Sequence, residues 1–215
     1  DKFIYIKNLN LIKAFGNIIL FDKKNNYTIN SEFISYDRNK DIIETTGRTS
    51  GKFDNIYQFI SSDVIFIKKN MELISKKKST IKDENNFYKL DKFKYLIEKK
   101  ELKGTNVLIN TNYQFPEGDK LYFSDAVINL ETFNFIGKDT EVVLHKNVFE
   151  NDTNDPRLIG VSSSKKGDLT TVNKGIFTSC NKDQKCPPWA IQAKEIIHDK
   201  KKKQIIYKDA NLRIF

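Results

Sequence analysis

The 215-residue sequence is poor in cysteine, proline, glycine and histidine. Two cysteines are too few for a disulfide-rich scaffold, and four prolines with nine glycines exclude a collagen-like or low-complexity chain. No apolar run approaches the ~20 residues that a membrane-spanning helix needs. Hydrophobic residues make up 39% of the chain and aromatic residues 12%, so the composition excludes disorder and predicts a buried core.

Recognisable catalytic motifs are missing as well. The sequence has no glycine-rich phosphate loop, no Gly-x-Ser-x-Gly elbow and no Cys–His signature. His145, His198, Cys180 and Cys186 would supply one set of four zinc ligands, but without the close pair spacing of zinc folds. We therefore expect no catalytic residue, no metal site and no cofactor, and a protein that is not an enzyme.

The net charge of +9 raises the question of a nucleic-acid partner. The lysines are scattered through every segment, and the aromatic residues sit in apolar stretches without the interleaving that RNA-binding motifs require. We expect no nucleic-acid partner. The run Lys200–Lys203 fits a solvated turn, and binding of acidic headgroups is its alternative interpretation.

Short stretches of alternating apolar and polar residues predict β-strands throughout the chain. One hairpin-like pattern recurs, with a small residue, an acid, any residue, an apolar residue, any residue and an aromatic or apolar residue, followed by a polar turn and a second apolar run. Its acidic second positions Glu32, Asp63, Asp91 and Asp125 lie 31, 28 and 34 residues apart. Such units cannot bury an apolar face alone, which predicts stacked antiparallel hairpins. An ordinary antiparallel meander is the alternative.

Two segments also have helical spacing. Phe93, Leu96 and Ile97 precede Gly104 as in a helix with a glycine C-cap, and residues 189–197 follow Pro187-Pro188 with a similar period. The hairpin repeat runs through both segments, so we predict strands for both.

The C-terminal part carries a resemblance to a known family. Thr178-Ser-Cys180, Pro187-Pro188-Trp189 and the turn at His198-Asp199 are followed by an apolar-alternating run that ends at Phe215. This cluster resembles the end of the periplasmic N-terminal domain in the LptD family of lipopolysaccharide-assembly proteins, in the alphaproteobacterial form. The similarity covers residues 157–215. Upstream, only the looser repeat pattern is similar.

The resemblance implies an all-β fold, a V-shaped OstA-like β-jellyroll of stacked hairpins. It implies a jellyroll domain over residues 1–175, and over residues 176–215 a loop and hairpin continuous with the same sheet and leading toward an outer-membrane barrel. We expect a piece of a longer protein on the periplasmic side of a Gram-negative outer membrane. The domain would receive lipopolysaccharide in an apolar groove and deliver it to the barrel. The implied partners are an LptA-type bridge protein and, through the barrel, an LptE-type lipoprotein.

The repeat also predicts which residues line that groove. Alternate positions of successive first strands would share one face and form a stripe, consisting of Ile34, Tyr36, Ile65, Ile67, Phe93, Tyr95 and Val127. A closed core is the alternative role for this stripe. The inward face could instead belong to Phe33, Val64 and Phe66, which are apolar and point the other way.

The cysteines and the N-terminal edge carry further predictions. In the LptD family the cysteine matching Cys180 is bonded to cysteines near the far end of the barrel, whereas a local Cys180–Cys186 bond or two thiols are the other options. Phe3, Tyr5, Leu9 and Leu11 alternate where a stacked sheet leaves an edge, and we expect the bridge protein to dock there by β-augmentation. A free-standing LptA- or LptC-type bridge and a carbohydrate-active enzyme on a β-scaffold are the alternative functions. The gene sequence beyond Phe215 would distinguish the bridge protein from LptD.

Overall fold

The computed structural model describes residues 2–23, 25–116, 118–146, 155–180 and 188–214. Over these residues the fold is all-β, with two single-turn 3-10 helices, Lys7–Leu9 and Lys68–Asn70, and no α-helix. The strands of this part of the chain are β1 Lys2–Ile6, β2 Leu11–Asp22, β3 Tyr27–Asp37, β4 Ile42–Phe53, β5 Tyr57–Ser62, β6 Ile65–Ile67, β7 Glu72–Ser75, β8 Ser79–Lys82, β9 Asn86–Leu90, β10 Lys92–Leu96, β11 Glu101–Thr111, β12 Lys120–Asn129, β13 Phe135–Val143, β14 Arg157–Lys166, β15 Leu169–Thr178, β16 Trp189–Asp199 and β17 Gln204–Ile214.

The strand predictions are confirmed in both ambiguous segments. The stretch around Phe93 forms β10, and Gly104 lies inside β11, where it cannot be a helix C-cap. The apolar residues after Trp189 form β16, which pairs with β15 and β17 along its length. The predicted hairpin turn over residues 37–41 separates β3 from β4.

The chain forms two compact units, Asp1–Gly104 and Thr105–Phe215. The predicted boundary between residues 175 and 176 falls inside β15, and the hairpin of β16 and β17 pairs directly onto that strand. No described residue belongs to a helix long and apolar enough to cross a membrane.

A turn followed by a bend is the repeating element of both units. Each turn at one end of the hairpins closes with a residue in the left-handed region, at Asn10, Asp41, Met71, Lys100, Phe133, Gly167 and Lys203. A second left-handed residue follows six or seven positions later within the next strand, at Gly16, Gly47, Asn106, Asp139, Lys174 and Asp209. The strand after Met71 instead breaks between β7 and β8. The predicted hairpin repeat thus has a structural counterpart, a turn and a bend in a nearly constant spacing.

Asparagine and aspartate account for much of this turn geometry in a chain with few glycines. They enter the left-handed region more readily than other residues that have a Cβ. Their side chains also satisfy turn amides, as where Asp37 Oδ1 accepts hydrogen bonds from the backbone N–H groups of Asn39 and Lys40. The polar clusters between apolar runs are therefore turn-forming sequences.

In the first unit, the pairing branches at β4. Its Arg48–Phe53 segment pairs with β5, and its Ile42–Glu44 segment pairs with β6, because the chain breaks between Ser62 and Ile65. One branch continues from β5 to β8 and β9, and the other from β6 to β7 and β10. Both β9 and β10 pair with β11, which begins in this unit, so that eight antiparallel strands form a closed barrel with the other strands outside it.

In the second unit, β12 to β17 form a consecutive antiparallel sheet. One face of this sheet is buried, and burying each large apolar side chain contributes ~1.5–3 kcal/mol. This core includes Phe123, Ile128, Leu158, Val172 and Ile196.

Candidate functional site: the interior of the first unit

The interior of the first unit is filled by a cluster of aromatic side chains, called here the aromatic cluster. Its rings contact one another in tilted or edge-to-face arrangements, with centroid distances between 4.9 and 6.3 Å. All are less than 10% exposed, and the members are Tyr27, Phe53, Tyr57, Phe66 and Tyr95. Tyr57 of β5 faces Tyr95 of β10, so the inner faces of the two branches pack on each other through this cluster.

An ion pair joins the two branches at the end of the strands that carries the aromatic cluster. Lys100 Nζ donates to Asp54 Oδ2 across the turn that precedes β11 and the turn that follows β4. The two side chains are 25% and 29% exposed. The pair therefore lies at the solvent boundary of the aromatic cluster and holds two turns together that are distant in sequence.

Buried hydroxyl groups lie at the opposite end, where the strands bend; we call them the hydroxyl cluster. Ser61 Oγ lies 2.8 Å from Ser75 Oγ and 2.7 Å from Ser79 Oγ, at the break between the branches. Beside the bend at Gly47, Thr49 Oγ1 donates to Thr45 Oγ1 over 2.7 Å, and Thr45 Oγ1 accepts from the backbone N–H of Val64. These hydroxyl groups form hydrogen bonds with one another in a part of the interior where most inward side chains are apolar.

The tyrosines of the interior stay protonated well above neutral pH. Burial, followed by the charge of Asp22, raises the pKa of Tyr27, and burial followed by Asp83 raises the pKa of Tyr88. At the edge, the hydrogen bond that Tyr36 donates to Asp41 over 2.6 Å, with burial, raises the pKa of Tyr36 to about 12. Uncharged aromatic surfaces are suited to apolar contacts.

The seven residues predicted to line a groove do not share one face. Ile34, Phe93 and Tyr95 are buried in the core, at 4%, 3% and 2% exposure. Ile65 and Ile67 are half-buried on the face of β6 opposite to Phe66, which is 1% exposed.

The remaining two residues of the predicted stripe lie near the surface. Tyr36 is half-buried at the rim, and Val127, in the second unit, is 37% exposed. The expectation of one continuous stripe is therefore wrong. The alternative that gave the inward side to Phe33, Val64 and Phe66 agrees with the burial of Val64 and Phe66, but not with Phe33, which is half-buried next to the buried Ile34 of β3. Lipid contact at the buried positions stays a prediction.

The elements that sequence reasoning missed are the ion pair and the hydroxyl cluster. Lys100 and Asp54 are 46 residues apart, and nothing in the local pattern of either residue pairs them. The sequence does contain a signal for the hydroxyl cluster, because Thr45, Ser61 and Ser75 occupy inward positions of otherwise apolar strands. A small polar residue at the corresponding position of successive strands indicates that these residues lie next to one another across the strands.

Cys180 is half-buried after β15. Its backbone N–H donates to Thr178 Oγ1, and its carbonyl oxygen accepts from Arg157 over 2.7 Å. Cys186 lies outside the described residues, so the predictions on the pairing of both cysteines are not tested.

His198 belongs to a polar cluster in the second unit. It lies across from Thr170 in the sheet and lines a cavity of about 30 Å³ together with Asp119, Lys165 and Lys200. Burial, followed by the nearby charge of Lys200, lowers the pKa of His198. Among the described residues, no three His, Cys, Asp or Glu side chains form a group that could hold a metal ion.

Comparison with family models and with curated proteins identifies no relative of this chain. No family model matches the chain, and no curated protein matches it.

Proposed function

We propose that this chain is the periplasmic domain of an LptD-like translocon, which takes up lipopolysaccharide in the interior of a V-shaped, OstA-like β-jellyroll. The observation that carries the proposal is the two-branched interior of the first unit. It is apolar and aromatic at one end and bends at a line of hydroxyl groups at the other. The ion pair of Lys100 with Asp54 joins its branches at the aromatic end.

The physical requirement of lipid transport supports this function. Each CH₂ group of an acyl chain that is kept from water contributes about 0.8 kcal/mol, so a carrier needs a long apolar surface. Side chains of the chain itself, such as Tyr95 and Phe66, occupy that surface here. Acyl chains would therefore enter as the two branches separate, and the aromatic rings would exchange contacts with each other for contacts with lipid.

The surface at the start of the chain supports the predicted docking of a bridge protein. Phe3 and Tyr5 of β1 are 69% and 47% exposed although both are large and apolar or aromatic. An LptA-type module would cover them by extending the sheet. Residues Lys208–Ile214 of β17 are exposed on both faces, and this strand would lead toward the barrel to which an LptE-type lipoprotein binds.

Photo-cross-linking with purified lipopolysaccharide tests the proposal. A benzophenone amino acid at Tyr95 or Phe66 should yield lipopolysaccharide adducts, and the same label at Lys69, in the turn after β6, should not. Closing the branches should suppress the adducts. For this, Asp54→Cys and Lys100→Cys are joined by a short bismaleimide in a Cys180→Ser, Cys186→Ser background.

The unjoined double-cysteine protein is the control for the last step. Equal adducts at Lys69 and at the interior positions would refute uptake into the interior. Adducts that persist when the branches are joined would refute entry by their separation.

A further inference from the structure

The outward face of the first unit carries two rows of side chains that run across its strands. Residues paired in an antiparallel sheet point to the same side, so the register defines each row. One row follows Asn30, Ser50, Ile60, Thr80 and Lys89 across β3, β4, β5, β8 and β9. The second row follows Thr28, Lys52, Gln58, Lys82 and Phe87 across the same strands.

These rows form the floor of an open groove of about 510 Å³. The outward side chains of the lining combine hydroxyl and amide groups with the apolar Ile60 and Phe87 and the lysines Lys52 and Lys82. Gly51 and the core residue Phe59 complete the lining. A third lysine, Lys89, continues the first row and places its Nζ 5.7 Å from the ring centre of Phe87. None of the described residues that line the groove carries a carboxylate, although the chain has 28 acidic residues.

The backbone under the groove has no free hydrogen-bonding edge. The Arg48–Phe53 part of β4 pairs with β3 and β5, β5 pairs with β4 and β8, and β8 pairs with β5 and β9. An extended peptide therefore cannot bind here by adding a strand. A ligand of this surface is recognised through side chains, which favours a molecule rich in its own hydroxyl and anionic groups.

We propose that this groove is a binding site for an anionic oligosaccharide. Five strands spaced by ~4.8 Å give each row a length of ~19 Å, which suits a short chain of sugar rings lying across the strands. Lys52 and Lys82 are separated by one strand, ~10 Å in the same row, and would each meet an acidic group of the ligand. Between them Gln58 would bind hydroxyl groups, and Phe87 would support the apolar face of a terminal ring.

This site does not depend on the proposed function. The groove lies on the outward side of β5, whose inward side chains Tyr57 and Phe59 belong to the core. Loss of lipid uptake into the interior would leave saccharide binding intact, and the reverse also holds.

Calorimetric titration of the full chain with tetragalacturonate tests the inference, with its methyl ester as a neutral ligand of the same backbone. We expect tetragalacturonate to bind and the ester to bind at least tenfold more weakly. The double variant Lys52→Gln, Lys82→Gln should weaken tetragalacturonate binding about tenfold, since two ionic contacts are lost. The control Lys76→Gln, Lys78→Gln removes the same charge at exposed positions outside the groove and should change binding less than twofold.

Hexaglutamate distinguishes saccharide recognition from simple attraction of anions. It should bind at least tenfold more weakly than tetragalacturonate, and Phe87→Ala should weaken the saccharide alone. Equal binding of hexaglutamate, or an equal loss in the control variant, would overturn the inference. So would the absence of tetragalacturonate binding at millimolar concentration by a chain whose circular dichroism is native.

Discussion

Lys100 and Asp54 form an ion pair between two turns that are 46 residues apart in the chain. Because both side chains are about three-quarters buried, the pair is shielded from solvent more than a typical surface pair, yet it remains open to competition by salt. It links the ends of the two branches. This is the contact whose loss should loosen the aromatic end of the first unit first.

Lys100→Gln should lower the free energy of unfolding of the first unit by ~0.5–1 kcal/mol, and the loss should shrink at high salt. Urea unfolding followed by the near-ultraviolet circular dichroism of the tyrosines measures it. In a cycle with Asp54→Asn, the two losses should not add, because each variant breaks the same contact. Lys103→Gln, which removes an exposed pair with Glu101, is the control. Strict additivity would show that the two residues do not act together.

Ser61→Ala should destabilise the first unit by ~1 kcal/mol, because Ser75 and Ser79 lose a buried hydrogen-bond partner. Replacing all three serines by alanine should cost less than the sum of the single changes, since no buried hydroxyl is then left alone. The exposed Ser164→Ala is the matched control. Thermal unfolding of the three single variants, the triple variant, the control and the unchanged chain decides between cooperative and independent hydroxyl groups.

Gly47→Ala should cost ~1–2 kcal/mol through backbone conformation alone. Gly47 has φ near 78°, and a Cβ atom added there would meet no heavy atom within 4 Å. The hydrogen bond from its N–H to Asp63 Oδ1 is kept in the variant. Gly47→Asn should cost less than Gly47→Ala because asparagine enters this region more readily. A steric origin would give the opposite order, since asparagine is the larger residue.

The second unit should lose stability as the pH falls below about 6.5, the ordinary pKa of histidine. Burial lowers the pKa of His198 in the folded chain, so the unfolded chain takes up a proton that the folded chain resists. Stability from this group is therefore present above pH 6.5 and is lost at lower pH. Urea titrations between pH 5 and 7.5, followed by the fluorescence of Trp189, measure the slope.

His198→Gln should flatten this pH dependence relative to the unchanged chain. Lys200→Gln should reduce it in part, because the charge of Lys200 also opposes protonation of His198. An unchanged slope in His198→Gln would assign the acid sensitivity of the second unit to other groups.

Hairpins were predictable from the sequence, and the direction of their side chains was not. Turn chemistry is local, so the polar stretch after Asp37 and the lysines around Lys69 indicate turns without knowledge of the fold. The face of the sheet on which a side chain lies can be counted from the sequence only while the side chains alternate without interruption. Asp63 has a positive φ of 50°, and the chain breaks there before β6, so counting from Asp63 puts Ile65 on the wrong side.

The same limit applies to the candidate site. The apolar residues of the core could be identified, because Phe93 and Tyr95 alternate with lysine. Their partners could not, since Tyr95 meets Tyr57 only through the packing of two branches. Likewise, Lys52 and Lys82 become neighbours in one row only when the register of three strands is known.

The nearly constant interval between turn and bend has a consequence for how the chain folds. From β1 to β4 and from β12 to β17, consecutive strands pair with one another, so ordered structure in these parts can grow one hairpin at a time from an existing edge. A growing chain could add hairpins in the order of synthesis, and contacts would stay short-range in sequence. Whole hairpins could then be gained or lost with little disturbance, whereas one residue inserted between Asp41 and Gly47 would turn the following side chains to the opposite face.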